Sequence, residues 1–354
     1  MAGLKKILIT RIYIIFLILI MSGTISAESN IQRVEIFTDD DITFAPDSIF
    51  ENTRAGLERG DNGRMIATGV TIPAFTTPAR ITAHLTLKPI PLDDRTVCDK
   101  WDRGGSVRLV LDGQPPVEVV KFITSYGGRD EHAVDISHLA PLLKGHCRFE
   151  GAIDTWVNPA WKMDLYLEID EIEDETEDSL YVDFIYNPDW AIGLFYDPAV
   201  TAEKMPENGY ETEVVIPEGM RRVVLNFLSS GHCTDGSGAD EFVPKDHVIY
   251  VDGRPVYRFM PWRDDCRRFR ENNPYTARWS DGYWSSDFSR SGWCPGDYVT
   301  PEQIDLTDYL SPGHHKIGFI IENIRPKDEN NHHGVWRVSA HLIGWKDMVR
   351  TVKW

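Results

Sequence analysis

Most of this 354-residue sequence lacks the features of a membrane-spanning or nucleic-acid-binding protein. After residue 27, no apolar run approaches the roughly 20 residues that a transmembrane helix requires. Lys and Arg number 37 against 55 Asp and Glu, so the formal net charge is −18. A surface of that sign repels phosphate backbones. We therefore expect no stable membrane insertion and no nucleic-acid partner.

The one notable apolar run, residues 13–20, lies close to the N-terminus. Lys5, Lys6 and Arg11 precede it, and small residues ending at Ala27 follow it. This order is typical of a secretory signal peptide, and a permanent N-terminal anchor is the alternative. We expect residues 1–27 to be the signal peptide and the mature chain to be secreted or periplasmic.

Cysteine is scarce, and the five cysteines are Cys98, Cys147, Cys233, Cys266 and Cys294. An oxidising compartment permits disulfides, but an odd number leaves at least one cysteine outside any pair within the chain. Cys266 and Cys294 bound a tryptophan-rich block, so we predict a disulfide between them. Spacing does not choose among the other three.

Helical periodicity is also missing, whereas short alternating segments recur between clusters of Gly, Pro and Asp. Examples are residues 81–87, 107–111, 117–123 and 165–169. The Asp252-Gly253 and Asp112-Gly113 pairs suit tight hairpins. This pattern predicts an all-β protein built from sandwiches or jelly rolls.

A chain of this length is too long for one ordinary core. Six acidic residues among residues 171–178 deny that segment a buried face, which favours a solvated linker. We therefore predict an N-terminal domain over residues 28–175 and a C-terminal domain over residues 176–354.

Three segments crowd ionisable and aromatic side chains into turn-like sequence. The first is Cys98-Asp99-Lys100-Trp101-Asp102-Arg103, the second runs from Ser229 to Cys233 with Glu241 downstream, and the third is residues 261–296. A carboxylate beside an arginine at the mouth of a strand suits activation of water, although a surface ion pair is the simpler interpretation of Asp102-Arg103. An ordinary polar loop is likewise the simpler interpretation of the second segment.

The third segment contains four tryptophans, Trp262, Trp279, Trp284 and Trp293, and a loop of this length is functional or disordered. Flat aromatic faces beside Arg and Asp are what a sugar ring needs. A self-packed, disulfide-closed loop is the alternative.

At these segments the chain resembles the peptide-N-glycosidase F family, bacterial enzymes that cleave the amide between an N-glycan and asparagine. The matching motifs are Cys98-Asp99-Lys100-Trp101-Asp102-Arg103, Phe122 to Tyr126, Asp154-Thr155-Trp156, Gly231-His232 with Glu241, and Arg290 to Gly296. The resemblance runs through both halves of the chain, although identity outside the motifs is low.

The resemblance implies two antiparallel eight-stranded jelly-roll domains packed side by side, with the site in the cleft between them. It assigns catalytic roles to Asp102, Glu241 and Asp154, with Asp102 as the principal carboxylate. It assigns substrate binding or support to a further set of residues: Arg103, Trp156, His232, Arg290 and Trp293. It also implies a monomeric enzyme that acts on N-glycosylated proteins or peptides and needs no metal or organic cofactor.

The sequence departs from the family pattern at three positions near the expected site. Asp154 stands where the family has Glu, which withdraws the carboxylate by roughly 1.5 Å. Ser230 and Phe242 stand where the family has tryptophans. We therefore expect a remodelled substrate mouth.

Two other classes of function fit parts of the sequence. A non-catalytic glycan-binding or surface-assembly protein could use the same fold. A copper monooxygenase would use paired jelly rolls and imidazole ligands, and His314-His315 and His332-His333 supply histidines. Adjacent residues on a strand point to opposite faces, so these histidines are expected to be solvated.

Overall fold

The computed structural model describes residues 31–46, 54–172, 187–233, 238 and 240–346. The strands of the first half are β1 (Ile31–Ile42), β2 (Glu58–Gly60), β3 (Met65–Ile72), β4 (Ala79–Pro89), β5 (Pro91–Asp93), β6 (Thr96–Val97), β7 (Gly104–Val110), β8 (Val117–Ile123), β9 (Asp130–Asp135), β10 (Gly145–Ile153) and β11 (Trp161–Glu171). The strands of the second half are β12 (Trp190–Val200), β13 (Tyr210–Ile216), β14 (Arg222–Cys233), β15 (His247–Val251), β16 (Arg254–Phe259), β17 (Asp297–Tyr298), β18 (Glu302–Asp305), β19 (Gly313–Ile321) and β20 (Gly334–Trp345). Short 3₁₀ helices are formed by Asp61–Gly63, Ser137–Leu139, Cys266–Asn272 and Ser285–Asp287.

The first half is a sandwich of two antiparallel sheets with strand orders β1-β11-β4-β9 and β17-β8-β7-β10-β3-β2, beside which β5 and β6 form a small hairpin. In β4 and β11 buried side chains alternate with more exposed ones, because one face packs on the core and the other meets solvent. Phe37, Phe149 and Trp161 fill the space between the sheets. Burial of these large apolar side chains stabilises the sandwich.

The second half is a sandwich of two four-stranded sheets with orders β12-β20-β14-β18 and β13-β19-β15-β16. Its core includes Phe227, Phe319 and Trp336, and the Phe227 and Phe319 rings meet edge to face with centroids 5.2 Å apart. Asp252 and Gly253 both have positive φ between β15 and β16, as a two-residue hairpin with the right twist requires.

The two sandwiches are joined through sheet faces and by a shared strand. Every residue of β8 is buried, because one face packs on the first core and the other faces the second sandwich. The Ser339 hydroxyl of β20 donates to Glu118 Oε2 of β8 at 2.6 Å. In addition, β17 follows the long loop of the second half but pairs with β8.

Apolar contacts reinforce this junction at two places. Ile123 from the first half packs with Leu228, Trp293 and Val299 from the second half. Farther along, Leu142 packs against a second cluster that includes Val224, Ile343 and Trp345. The halves therefore form a continuous packed unit rather than two bodies joined by a linker alone.

The long loop of residues 261–296 is ordered by covalent and hydrogen-bonded contacts. Cys266 and Cys294 form the predicted disulfide, closing a separation of 28 residues. Arg263 and Arg290 exchange two backbone hydrogen bonds of 2.8 and 2.9 Å, so the start and end of the loop lie side by side. The loop therefore returns Arg290 to a fixed place beside β14.

The structure confirms the all-β prediction and the pairing of two antiparallel sandwiches. Among the described residues, the second sandwich has the expected eight strands, whereas the first has more, because short β2 extends one sheet and β17 joins it from the second half. The predicted domain boundary at residue 175 and the signal peptide at residues 1–27 lie outside the described residues. Within the described part of the chain, no helix combines the length and apolarity needed to cross a bilayer.

We predict that Leu228→Ala destabilises the whole chain by about 2–5 kcal/mol, because it opens a cavity in the apolar cluster between the sandwiches. Leu228 is 4% exposed. Urea unfolding followed by tryptophan fluorescence measures the change. Val215→Ala is the control, because Val215 is 54% exposed and its truncation is expected to cost less than about 0.5 kcal/mol. Equal effects of the two substitutions would contradict the importance of this cluster.

Candidate active site

Asp102 lies in the turn between β6 and β7, and the end of β8 holds that turn in place. The backbone N–H of Arg103 donates to Thr124 Oγ1 at 2.9 Å, and the backbone N–H of Thr124 donates to the Arg103 carbonyl at 2.8 Å. The Asp102 side chain remains 15% exposed. The turn therefore presents a largely buried carboxylate that solvent still reaches.

Asp99 is the internal anchor of the same turn and is completely buried. Its carboxylate accepts hydrogen bonds from Arg103 Nε at 2.9 Å, Thr155 Oγ1 at 2.6 Å and Trp161 Nε1 at 3.3 Å. Arg103, expected to bind substrate and steady the site's carboxylates, thus forms its ion pair with Asp99. Its influence on Asp102 is electrostatic, since its positive charge favours the ionised form.

Arg290 connects the two halves of the site. Its side chain is only 1% exposed, and its Nε donates to Glu241 Oε1 at 3.1 Å. Its Nη2 lies 3.9 Å from Asp102 Oδ2 and 3.5 Å from the Tyr126 hydroxyl, while Nη1 donates to the Phe288 carbonyl at 3.0 Å. Asp102 and Tyr126 come from the first half and Glu241 from the second, so one guanidinium gathers groups from both.

Two aromatic rings flank the Arg290 guanidinium. Its central carbon, Cζ, lies 4.7 Å from the centroid of the Trp293 ring and 4.8 Å from the centroid of the Phe242 ring. Trp293 is 3% exposed, donates from Nε1 to the Gly231 carbonyl at 2.8 Å, and stacks on His232 at 5.2 Å. Burial lowers the pKa of His232 well below its usual value, which keeps this imidazole neutral. Trp293 therefore packs against Arg290, and His232 packs against Trp293.

Glu241 lies in the segment between β14 and β15, beside Cys233 at the end of β14. Its carboxylate, 16% exposed, accepts from Arg290 and from the Cys233 thiol at 3.3 Å. The preceding residue, Asp240, is fully buried and accepts from Trp336 Nε1 at 3.1 Å and pairs with Lys245 Nζ at 3.3 Å. Asp240 therefore fixes the backbone from which Glu241 projects.

Tyr126 belongs to this cluster, although the sequence motifs did not single it out. Its side chain lies beside Asp102, and burial together with the Asp102 charge raises the pKa of the phenol. Its backbone N–H donates to Asn273 Oδ1 at 2.8 Å, which ties the end of β8 to the long loop. The only sequence signal was its position at the end of the matching strand motif.

Burial raises the pKa of both Asp102 and Glu241 above the usual carboxylate range. The positive charge of Arg290 opposes this effect at both residues. Arg103 also favours ionised Asp102, and the hydrogen bonds from Cys233 and Arg290 favour ionised Glu241, whereas the Asp102 charge disfavours it. Burial and a single shared cation therefore hold both carboxyl groups closer to the protonated form than free carboxyl groups are.

Asp154 and Trp156 lie to one side of the Arg290 cluster. Asp154 is 38% exposed and pairs with Arg64 at 3.1 Å and with Arg337 of the second half at 2.7 Å. Trp156 is 59% exposed, with the Arg64 guanidinium 4.6 Å from its ring and the Phe44 ring centroid 5.1 Å away. Trp156 offers an accessible aromatic face, whereas both Asp154 oxygens already have partners.

The two histidine pairs occupy polar surroundings outside this cluster. His315 interacts with Asp252 Oδ2 at 2.8 Å, and His332 lies 3.5 Å from Asp328. In the ranges that the structure describes, no group of three or more His, Cys, Asp or Glu side chains has an arrangement that could hold a metal ion.

A family comparison bears on the half that supplies Glu241 and Arg290. Residues 201–343 match the family model described as Peptide-N-glycosidase F, C terminal. The match covers less than half of the chain. The resemblance inferred from the motifs is therefore confirmed. A search of curated proteins found no match.

Solved structures extend the likeness to the fold of both halves. The structure of PNGF-II matches with a TM-score of 0.76 and 24% identity over 90% of this chain and 66% of that one, so the chain spans just under two thirds of PNGF-II. PNGase F, a glycosylasparaginase from Flavobacterium meningosepticum, matches with a TM-score of 0.68 and 18% identity over 90% of this chain and 97% of that one. A peptide-N(4)-(N-acetyl-β-D-glucosaminyl)asparagine amidase matches with a TM-score of 0.64 and 17% identity over the same shares. At these identities the likeness shows a shared fold.

We predict that Asp102→Asn raises the melting temperature at pH 7 and has little effect near pH 4. A carboxyl group whose folded-state pKa is raised contributes stability as the protonated form below its usual pKa of about 4, and that contribution is lost as pH rises through the raised value. The neutral amide avoids this loss. Calorimetry from pH 4 to pH 8 measures the effect. A lower melting temperature than wild type at pH 7 would contradict it.

Proposed function

We propose that the protein hydrolyses the amide bond between the innermost N-acetylglucosamine of an N-linked glycan and asparagine. The observation that carries the proposal is the convergence of Asp102 and Glu241, from opposite halves of the chain, on the buried guanidinium of Arg290. Two carboxyl groups around one cation, with pKa values raised by burial, form a pair suited to acid and base roles. The family match over residues 201–343 supports the same reaction.

In this proposal Asp102 is the group that acts on the scissile amide, either by attack or by activating water. Burial raises its pKa, which strengthens its ionised form as a base. Arg290 and Arg103 favour its ionised form, and in this proposal Asp102 is the ionised member of the pair.

Glu241 serves the asparagine side of the bond. The negative charge of Asp102 helps it retain a proton, and a protonated carboxyl group can donate a hydrogen bond to the amide. Addition of one water molecule across the amide leaves aspartate in the peptide and releases a glycosylamine, which later loses ammonia. Arg290 stabilises charge that develops on the reacting carbonyl oxygen.

The substrate is an N-glycosylated protein or peptide, and the exposed ring of Trp156 offers a face for a sugar. Trp293 and His232 contribute by holding Arg290. We further propose that the chain acts as a monomer outside the cytoplasm. The charged, apolar and small-residue order of residues 1–27 and the Cys266–Cys294 disulfide support export.

Asp102→Asn is expected to lower turnover by roughly a thousandfold or more, because it keeps the side-chain size while removing the negative charge. Glu241→Gln is expected to be nearly as damaging. The assay incubates a denatured glycoprotein with each variant and measures the mass of the product peptide by mass spectrometry. Loss of the glycan must accompany conversion of Asn to Asp.

Asp246→Asn is the matched control, because Asp246 is a 47% exposed carboxylate paired with Arg258 in the loop before β15. It is expected to retain wild-type turnover. Undiminished deglycosylation by folded Asp102→Asn protein would overturn the assignment. A wild type that binds glycopeptides and never cleaves them would instead identify a glycan-binding protein on this fold.

Asp154→Glu is expected to raise kcat/KM, because the longer side chain restores the reach of the family's glutamate while keeping the charge that Arg64 and Arg337 require. A displacement of about 1 Å can change a rate on the order of 100-fold. Asp154→Asn, which loses the charge without gaining length, should lower kcat/KM. If Glu and Asn reduce it equally, Asp154 has a structural role in pairing the arginines.

A further inference from the structure

Asp130 is a buried carboxyl group outside the Asp102–Glu241–Arg290 cluster. It begins β9, directly after the turn that follows β8, and it is only 1% exposed. Its Oδ2 accepts a hydrogen bond of 2.9 Å from the backbone N–H of Ser125. Its Oδ1 and the Ser125 hydroxyl are buried, and neither has a partner in hydrogen-bond geometry among the described residues. One oxygen of this carboxyl group is therefore satisfied, and the other is closed off from water.

The end of the long loop covers the Asp130 carboxyl group. A Cβ at Gly296 would lie 3.4 Å from Asp130 Oδ1 and 3.3 Å from the Cβ of Ser125. Gly296 has a φ of 86°, and its backbone N–H donates to the Ile123 carbonyl at 3.0 Å. Glycine suits both this left-handed backbone and the close approach. Water can therefore reach Asp130 from this side only if the loop moves away from the end of β8.

The charged groups around Asp130 do not compensate a negative charge. Asp297 of β17 faces it and is itself negative, and the partner of Asp297 is Arg263 at 3.0 Å. Burial lowers the pKa of His132 on β9, which favours a neutral imidazole there. Burial of Asp130 and, to a smaller extent, the Asp297 charge raise the pKa of Asp130 to about 7.

A proton on Oδ1 resolves this arrangement, because a neutral acid can donate to the adjacent Ser125 hydroxyl. The folded protein holds this proton up to about pH 7, whereas an unfolded chain loses it near pH 4. The stability that the proton contributes is fully present below about pH 4 and is lost as the pH rises through about 7. Above that pH the hydroxyl can donate to the carboxylate instead, but the buried charge stays uncompensated.

The turn that Asp130 closes carries Tyr126 to the candidate active site. The residue before Tyr126 donates its N–H to Asp130, and the Tyr126 hydroxyl lies 3.5 Å from Arg290 Nη2. The Tyr126 N–H donates to Asn273 Oδ1 at 2.8 Å, and Asn273 Nδ2 donates to the carbonyl directly before Gly296 at 3.0 Å. A movement that hydrates Asp130 therefore also disturbs the backbone of Tyr126.

We propose that Asp130 is a positioning residue, which as a neutral acid keeps Tyr126 beside Arg290 and on ionisation loosens that contact. The inference rests on the proposed function, since Tyr126 affects turnover only through the groups proposed to hydrolyse the amide. Asp130 takes no part in the chemical step. Activity is therefore expected to decline as the pH rises above about 7.

Asp130→Asn tests the proposal, because its amide accepts from the Ser125 N–H, donates to the Ser125 hydroxyl and cannot ionise. Glu131→Gln is the matched control on the same strand, since Glu131 is 65% exposed and pairs with Arg129, which is 58% exposed. In wild type, an infrared band of a protonated carboxyl group should be present at pH 6, weaken above pH 7 and be missing in Asp130→Asn.

Hydrogen exchange of the peptide that covers residues 124–130 reports the turn itself, once the intrinsic pH dependence of exchange is removed. From pH 6 to pH 9, protection should fall about tenfold or more in wild type and Glu131→Gln, because about two pH units above the pKa leave roughly one folded molecule in a hundred protonated. Asp130→Asn should keep its protection.

Glycopeptide cleavage gives a third readout. The kcat of Asp130→Asn should match that of wild type at pH 6 and exceed it about tenfold or more at pH 9, with KM unchanged. A kcat lowered equally at every pH would mean that Asp130 is structural only, and that result overturns the proposal. Undiminished wild-type protection at pH 9 also overturns it, and this measurement decides if Asp130→Asn does not fold. A wild type whose turn loses protection as expected and that cleaves nothing contradicts the proposed hydrolysis alone.

Discussion

The site depends on a guanidinium that is almost completely removed from water. A buried cation is costly unless it is paired and hydrogen-bonded, and Arg290 meets this requirement with Glu241, the Phe288 carbonyl and the hydroxyl of Tyr126, with Asp102 nearby. Because those partners belong to both halves of the chain, the pairing of Arg290 fixes the halves relative to each other as well as the site. The disulfide and the Arg263–Arg290 backbone pair make this possible, since they return the end of a long loop to one position.

The same burial disfavours the charged forms of Asp102 and Glu241 and raises the pKa of both carboxyl groups. This arrangement favours acid–base chemistry more than it favours stability. Asp102 and Glu241 lie close enough for the charge of one to raise the pKa of the other, and a single cation is shared between them. Replacing either carboxyl group with an apolar residue would remove part of that desolvation penalty, yet it would also leave Arg290 less well compensated. Such groups are typical of functional sites, where an unfavourable arrangement is kept because it tunes protonation.

Local patterns predicted much of the fold because strand alternation and turn residues are local properties. Residues 117–123 coincide with β8, the Asp252-Gly253 hairpin forms, and the Cys266–Cys294 pair closes the loop. The three motif-bearing segments supply the Arg290 cluster. Sequence proximity was misleading for Arg103, which pairs with Asp99 rather than with its direct neighbour, because the turn points Asp99 inward. Other features depend on contacts between residues that are far apart in the sequence, which no local pattern encodes. These features are the place of Tyr126 in the cluster, the pairing of Asp154 with two arginines, and the pairing of β17 with β8 of the first half.

The interface between the sandwiches combines two kinds of contact with different consequences. The clusters around Leu228 and Val224 exclude water, but apolar contact is non-directional and tolerates sliding. The polar contacts, Ser339 with Glu118 and Arg337 with Asp154, require one register between β20 and the first sandwich. We infer that the polar contacts set the alignment and the apolar clusters provide most of the adhesion. Alignment matters here because Asp102 and Glu241 approach Arg290 from different sandwiches, so a shift of one sheet against the other would separate them before either half lost its own core.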